Sequence, residues 1–282
     1  MGKRLRKVKS IWTVVNGCRL HARTTAQSIV AIDATGAETG PQPPIFVLIH
    51  GLLISSRYMV PTARRLGMSY PVYALDLPGF GRSEHPARVL TIPELADAVI
   101  AWMDAMQITQ AVLLGNSLGG QVLIDLAARY PARVDRLILI GPTVDPQAPT
   151  ILQQFSRLLL DGFVETPTLL YHLLVDFFHA GLWQTWQTFQ YALQERRIEL
   201  QKLQTIDAPT LVVRGARDPV APQHWVEEAT RQLSHGELRV IPGSPHCVNY
   251  TTPDALVQVV DAFLQKTERT PVSWVETERL RD

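Results

Sequence analysis

The stretch Ala111-Val112-Leu113-Leu114-Gly115-Asn116-Ser117-Leu118-Gly119-Gly120 decides how the chain folds. Residues 111–114 form an apolar run too short for a helix, whereas residues 118–130 carry apolar side chains at 3.6-residue spacing. The segment therefore reads strand, tight turn, helix, with Ser117 in the turn. Gly115 and Gly119 flank the serine at the spacing of a Gly-x-Ser-x-Gly nucleophile elbow, in which a strained backbone lifts a serine hydroxyl above the end of a sheet. Side chains at those glycines would strike the neighbouring strand and helix. The free N–H groups and positive dipole end of the helix starting at Leu118 favour an anion beside the serine. The same pentapeptide also suits an ordinary glycine-rich turn, and the rest of the chain decides between the two.

Outward from this stretch, strand and helix alternate. A hairpin is expected over residues 10–24 around Asn16-Gly17, a strong turn signal, and a further β-like run over 28–33. Residues 45–49 form a continuous apolar strand of the kind buried on both faces of a parallel sheet. A helix over 55–66, a strand over 72–75 and a helix over about 93–106 follow, the last with Thr91 as N-cap and Glu94 completing a capping box. Beyond the elbow come strands at 136–140, 211–213 and 237–241, with helices at about 222–233 and 253–265. The roughly sixty residues from Pro142 to Thr205 break this alternation. They are rich in Leu, Phe, Trp and Tyr at helical spacing, with breakers at Gly162, Pro167 and Gly181, and read as a helical insertion. Residues 267–282 read as a polar, frayed tail. The pattern specifies an α/β fold, a mainly parallel sheet with helices on both faces, and such sheets bind ligands at the carboxyl ends of their strands.

Composition narrows the function. The 282 residues are 46% hydrophobic and 19% charged, ordinary for a globular protein able to bury a large core. A net charge of +1 offers no general attraction for nucleic acid, and no aromatic-basic interleaving suggests a single-strand groove. The basic run Lys3, Arg4, Arg6, Lys7 and Lys9 reads as a solvated tail, since no secretory apolar segment follows it and no run is long enough to span a bilayer. The two cysteines, Cys18 and Cys247, have no metal-ligand or redox spacing and fit a reduced, cytoplasmic chain. No cofactor or metal is expected, and the oligomeric state is not readable.

A serine nucleophile needs a base, a group that orients the base, and donors for the developing oxyanion. Each has a candidate in a loop that follows a strand. His246, in Gly243-Ser244-Pro245-His246, follows the strand at 237–241; none of the other histidines follows a core strand except His50, which reads as a packed polar residue at a loop base. Asp218 follows the strand at 211–213, and Asp145, after the strand at 136–140, is its rival as the orienting acid. The backbone N–H groups of Leu118 and of Leu52, after His50-Gly51, are the candidate oxyanion donors.

These features together resemble the α/β-hydrolase superfamily over nearly the whole chain. The resemblance rests on His50-Gly51, on Asp76-Leu77-Pro78-Gly79-Phe80-Gly81-Arg82-Ser83, on the elbow at Ser117, and on Asp218 and His246. It implies an eight-stranded, mostly parallel sheet, with a core of residues 1–141 and 206–282 and a helical cap or lid over residues 142–205. The order Ser117, Asp218, His246 is that of the family's catalytic triad, which favours Asp218 over Asp145. Beside these, Asn116, Gly51, Phe155, Trp183 and Trp186 are expected to contact substrate in an apolar pocket beneath the cap.

The resemblance implies a carboxylic-ester hydrolase acting on a small-molecule ester through an acyl-enzyme. A second reading is a carbon–carbon bond hydrolase of ring-cleavage products, because Gly115-Asn116-Ser117 with Gly119-Gly120 looks like that subgroup's elbow. Such enzymes generally carry a tryptophan after the catalytic histidine, where Cys247 stands here, and a cap arginine, for which Arg157, Arg196 or Arg197 could serve. Ser117 departs from the dehalogenase and epoxide hydrolase relatives, which use aspartate at the elbow. A third reading is a ligand receptor on a hydrolase scaffold.

Overall fold

The computed structural model describes residues 5–26, 43–142, 145 and 151–267, and within them all side chains but those of residues 151, 152, 155, 196 and 197. Strands β1 (Lys9–Val15) and β2 (Cys18–Thr24) form the antiparallel hairpin, and Asn16 and Gly17 supply its tight turn with φ of 50° and 75°. The β-like run at 28–33, Lys3, Arg4 and the tail beyond residue 267 lie outside the described residues.

Strands β3 (Phe46–Ile49) and β4 (Val72–Leu75) flank the first crossover, a 3-10 turn at Ser56–Met59 followed by α1 (Val60–Leu66). One continuous α-helix is expected over this stretch, but Pro61 has no N–H to continue the ladder, so the chain enters as a 3-10 turn. Helix α2 (Ile92–Ala105) starts at the expected capping box, where the Thr91 N–H and hydroxyl both donate to Glu94 Oε2 at 2.9 Å. Strand β5 (Ala111–Asn116) runs into α3 (Leu118–Arg129) and then β6 (Val134–Ile140).

Three helices fill the interval before the next strand: α4 (Ile151–Gly162), α5 (Pro167–Ala180) and α6 (Leu182–Gln204). They break at Gly162, Pro167 and Gly181, and Gly181 turns with φ of 82°. Strand β7 (Thr210–Gly215), α7 (Gln223–Gln232), β8 (Gly236–Ile241), the short α8 (Val248–Thr251) and α9 (Pro253–Lys266) complete the order.

The strands form an eight-stranded sheet in the order β1-β2-β4-β3-β5-β6-β7-β8, parallel from β4 to β8. Alternate side chains of one strand enter different cores. Phe46 and Leu48 pack with Met59, Leu66, Leu256 and Phe263 under α1 and α9, whereas Val47 and Ile49 pack with Val99, Trp102 and Val122 under α2 and α3. Burial on both faces, at about 1.5–3 kcal/mol for each large apolar side chain, explains why these strands are unbroken hydrophobic runs. No helix among the described residues is long and apolar enough to cross a membrane.

The chain moves from β3 outward to β4 and then returns to β5 on the other side of β3. That reversal opens a crevice at the carboxyl ends of β3 and β5, where the loops bearing His50 and Ser117 meet.

Candidate active site

Ser117 sits between β5 and α3 with φ of 56° and ψ of −122°, a conformation that costs a non-glycine residue about 1–3 kcal/mol. Its neighbours enforce it. A Cβ on Gly115 would lie 2.5 Å from the Gly119 carbonyl oxygen, and one on Gly119 would lie 2.4 Å from that of Ile49. The Ser117 N–H donates to Ile140 O at 2.9 Å, tying the elbow to β6.

His246 follows β8 and Asp218 follows β7. The His246 Nδ1 and Asp218 Oδ2 lie 2.8 Å apart, both residues are buried, and Asp218 Oδ1 accepts the N–H groups of Val220 and Ala221 at 2.8 and 2.9 Å. With Nδ1 engaged as donor, His246 Nε2 has no protein partner. Arg214 props the acid loop, donating to Asp218 O at 2.8 Å and to Ala221 O at 2.7 Å. Burial works against charge on His246, but the charge and hydrogen bond of Asp218, followed by Asp161 and Glu165, outweigh it and raise the imidazole to about 9. Asp145 is placed elsewhere. It is buried against Arg157 at 3.0 Å and His224 at 3.2 Å.

Leu52 and Leu118 line one small cavity with Ser117, together with Gln121, Gln154, Leu158, Phe189, Ala192 and Val220. Its volume is about 40 Å³. A larger groove, lined among others by Pro44, Tyr70, Gln110 and Leu264, lies at the amino ends of the strands, away from Ser117.

The residues expected to contact substrate are placed as follows. Asn116 is fully buried; its Nδ2 donates to Ile140 O and His246 O, and its Oδ1 accepts from the Tyr58 hydroxyl at 2.7 Å. That amide braces the elbow from below. Gly51 makes room for Ser117, since a Cβ there would lie 3.3 Å from Ser117 Cβ, and its N–H donates to the Tyr58 hydroxyl at 2.8 Å. Trp183 and Trp186 are 68% and 45% exposed and are not among the residues that line the cavity, although the Trp186 ring lies beside that of Phe189, which does, with centroids 6.4 Å apart. The side chains of Phe155, Arg196 and Arg197 lie outside those described. His50 is held as a neutral imidazole, Nδ1 donating to Gly51 O at 2.8 Å and Nε2 accepting the Leu77 N–H at 3.0 Å, and burial lowers its pKa.

Sequence reading missed Tyr58, Gln121 and Gly141. Tyr58 joins the loop after β3 to the strand before the elbow, a contact between residues 58 apart, with no local signature. Gln121 Nε2, one turn into α3, reaches the insertion through Ala192 O at 3.2 Å and Glu199 Oε2 at 3.0 Å. Gly141 turns with φ of 49° where a Cβ would fall 2.8 Å from the His246 ring. Three acids of the insertion were also missed: Asp161, Glu165 and Asp176. Their signal was legible, because residues 158–194 contain no Lys or Arg and only these three acids.

Residues 46–259 match the model of the alpha/beta hydrolase family. A pimeloyl-(acyl-carrier protein) methyl ester esterase from Neisseria meningitidis serogroup B (strain H44/76) is 30% identical over 244 residues, covering 77% of this chain and 92% of that protein. The biotin biosynthesis bifunctional protein BioHC of Cellvibrio japonicus is 29% identical over 248 residues, and the chain spans 79% of its own length but only 48% of that protein. The crystal structure of a putative lipase from Acinetobacter baumannii superposes with a TM-score of 0.73 at 21% identity, covering 93% of this chain and 92% of the other. The elbow, the sheet order and these matches together place the chain in the alpha/beta hydrolase family.

Proposed function

We propose that the protein hydrolyses a carboxylic ester of a neutral, apolar acyl group, with α4–α6 acting as a cap over Ser117, His246 and Asp218. The observation that carries this reading is the strained serine at the carboxyl edge of β5 combined with a buried His246–Asp218 pair whose Nε2 has no protein partner and takes a proton in the neutral imidazole, the form that grows as the pH rises toward about 9. Ser117 Oγ attacks the ester carbonyl carbon while its proton passes to His246 Nε2. The tetrahedral oxyanion is held by the N–H groups of Leu118 and Leu52. Collapse breaks the bond to the alkoxy oxygen, which leaves with the proton from Nε2. Water, deprotonated in turn by Nε2, then attacks the acyl-serine, and collapse breaks the bond to Ser117 Oγ, which takes the proton back from Nε2 as the acid leaves. Asp218 keeps the Nδ1 proton in place and stabilises the imidazolium at each stage.

The cavity lining favours an uncharged acyl group, since Gln121 and Gln154 are its polar members besides Ser117. Esterase names among the relatives support the same class. The carbon–carbon bond reading loses one of its cationic candidates, because Arg157 is paired with Asp145. The cavity is small, and a shift of the cap away from the elbow would widen it for longer acyl chains.

Hydrolysis of p-nitrophenyl esters from acetyl to dodecanoyl, by the wild type and Ser117→Ala together, tests this. Repeated turnover is expected with the wild type and none above background with the variant, and the best chain length sizes the opened pocket. Absence of turnover on every ester, or equal rates in the two proteins, overturns the reading.

A further inference from the structure

Between residues 158 and 194 the cap carries three charged side chains, all acids, and all three are buried. The exposed positions of the same stretch include Phe163, Tyr171, Leu174, Phe178, Leu182 and Trp183. All three carboxylates of this stretch thus lie inside, while several large apolar side chains lie outside. Burying a carboxylate is unfavourable unless donors satisfy its oxygens, and apolar side chains would anchor a helix to the core without that penalty. What the three acids touch therefore indicates what they are for.

Each accepts hydrogen bonds from a loop that carries catalytic groups. Asp161 Oδ1, at the end of α4, accepts the His246 N–H at 3.2 Å. Glu165, in the turn before α5, accepts the Cys247 N–H at 2.7 Å on Oε1 and the Thr251 hydroxyl at 2.8 Å on Oε2. Asp176, on α5, takes both the N–H and the hydroxyl of Ser55, at 3.0 and 2.6 Å, in the loop that contains Leu52. The imidazole of His246 is fixed by Asp218 at Nδ1, but its direction also depends on the main chain that bears it. That main chain is held from the core by Asn116, at 3.4 Å to His246 O, and from the cap by Asp161 and Glu165.

We propose that Asp161 and Glu165 are positioning residues for His246, so that seating the cap and aligning the catalytic base are a single event. This rests on the reading of His246 as the base. Asp176 gives the loop of Leu52 the same kind of anchor. An opened cap carries Asp161 and Glu165 away from residues 246–247 and releases their main chain; a closed cap restores it.

The charged and titratable groups facing His246 are Asp218 from the β7 loop, Asp161 and Glu165 from the cap, and Cys247 beside it. Burial pushes the Cys247 thiol well above its ordinary value, and it stays neutral. Burial, together with Glu165 and Asp218, raises Asp161 to about 7 against the pull of His246. Asp161→Asn keeps an acceptor for the His246 N–H and deletes the charge, whereas Asp161→Ala deletes both.

The test uses the full chain and three readouts: the low-field Nδ1–H proton resonance of the His246–Asp218 bond, the titration of His246 Cε1–H, and pH profiles of kcat and KM on the best p-nitrophenyl ester. Asp161→Ala is expected to lower kcat about 10- to 100-fold with little change in KM, and to broaden the Nδ1–H resonance by exchange. Asp161→Asn is expected to regain most of kcat while its acid limb and the His246 midpoint move to lower pH. An unchanged resonance and kcat in Asp161→Ala, or an unmoved midpoint in Asp161→Asn, overturns the proposal. If the wild type hydrolyses no ester, the functional reading fails by itself, and the two resonances still decide the role of Asp161. If Asp161→Ala does not fold, the midpoint in Asp161→Asn and the Nδ1–H resonance in Glu165→Gln decide it.

Discussion

Removing one oxygen atom from Tyr58 tests the brace beneath the elbow. The side chain is 1% exposed, and its hydroxyl donates to Asn116 Oδ1 at 2.7 Å while accepting the Gly51 N–H at 2.8 Å. In Tyr58→Phe the ring keeps its packing, so the cost is that of two buried polar groups left without partners. At about 1–3 kcal/mol for each, with partial relaxation, the loss is about 2–4 kcal/mol. For a chain of this size, about 2 °C per kcal/mol converts that to a fall in Tm of roughly 4–8 °C. Urea unfolding and a thermal melt, run beside the wild type, measure it directly. Because Gly51 leads into Leu52 and Asn116 into Ser117, kcat should fall in the same variant while KM changes little. A Tm within about 1 °C of the wild type, with an unchanged urea midpoint, refutes the reasoning.

Two further outcomes follow from buried geometry. Gly141→Ala places a Cβ 2.8 Å from His246 Cε1 and Nδ1 and 2.9 Å from Asp218 Oδ2, so the imidazole must retreat; kcat should drop about 10- to 100-fold in a folded protein, and a value within twofold of wild type counts against it. Asp76 is fully buried, and although burial raises its carboxyl, hydrogen bonds from His21 and from the N–H groups of Arg82 and Ser56 bring it from 3.8 down to about 2. A folded-state value below the unfolded one gives stability that is present above about pH 4 and lost as the pH falls through about 2, some 2 kcal/mol in all. Urea midpoints of wild type and Asp76→Asn should differ at pH 6 and converge toward pH 2; a constant gap excludes this account.

How much of this was legible in the sequence depended on whether the signal was local. The elbow could be read because Gly115, Ser117 and Gly119 lie within five residues, and a Cβ at either glycine meets backbone that the strand-turn-helix geometry brings close. The break at Pro61 was equally local, but it was overridden by the apolar spacing around it. Asp218 and His246 could be named because each follows a strand, and parallel strands bring their carboxyl ends to one edge.

By itself, then, the order of apolar runs and glycines determined the α/β class, the helical insertion and the loops at the carboxyl ends of the strands, since periodicity and turn stereochemistry act over a few residues. The tertiary structure alone decided which side chains meet. Tyr58 bridges Gly51 and Asn116, Asp145 goes to Arg157 while Asp218 takes His246, and Trp183 is left 68% exposed as Phe189 and Ala192 line the cavity. Such pairings join residues far apart in the chain and depend on distances of a few tenths of an ångström, which arise only when the sheet and the helices above it pack together.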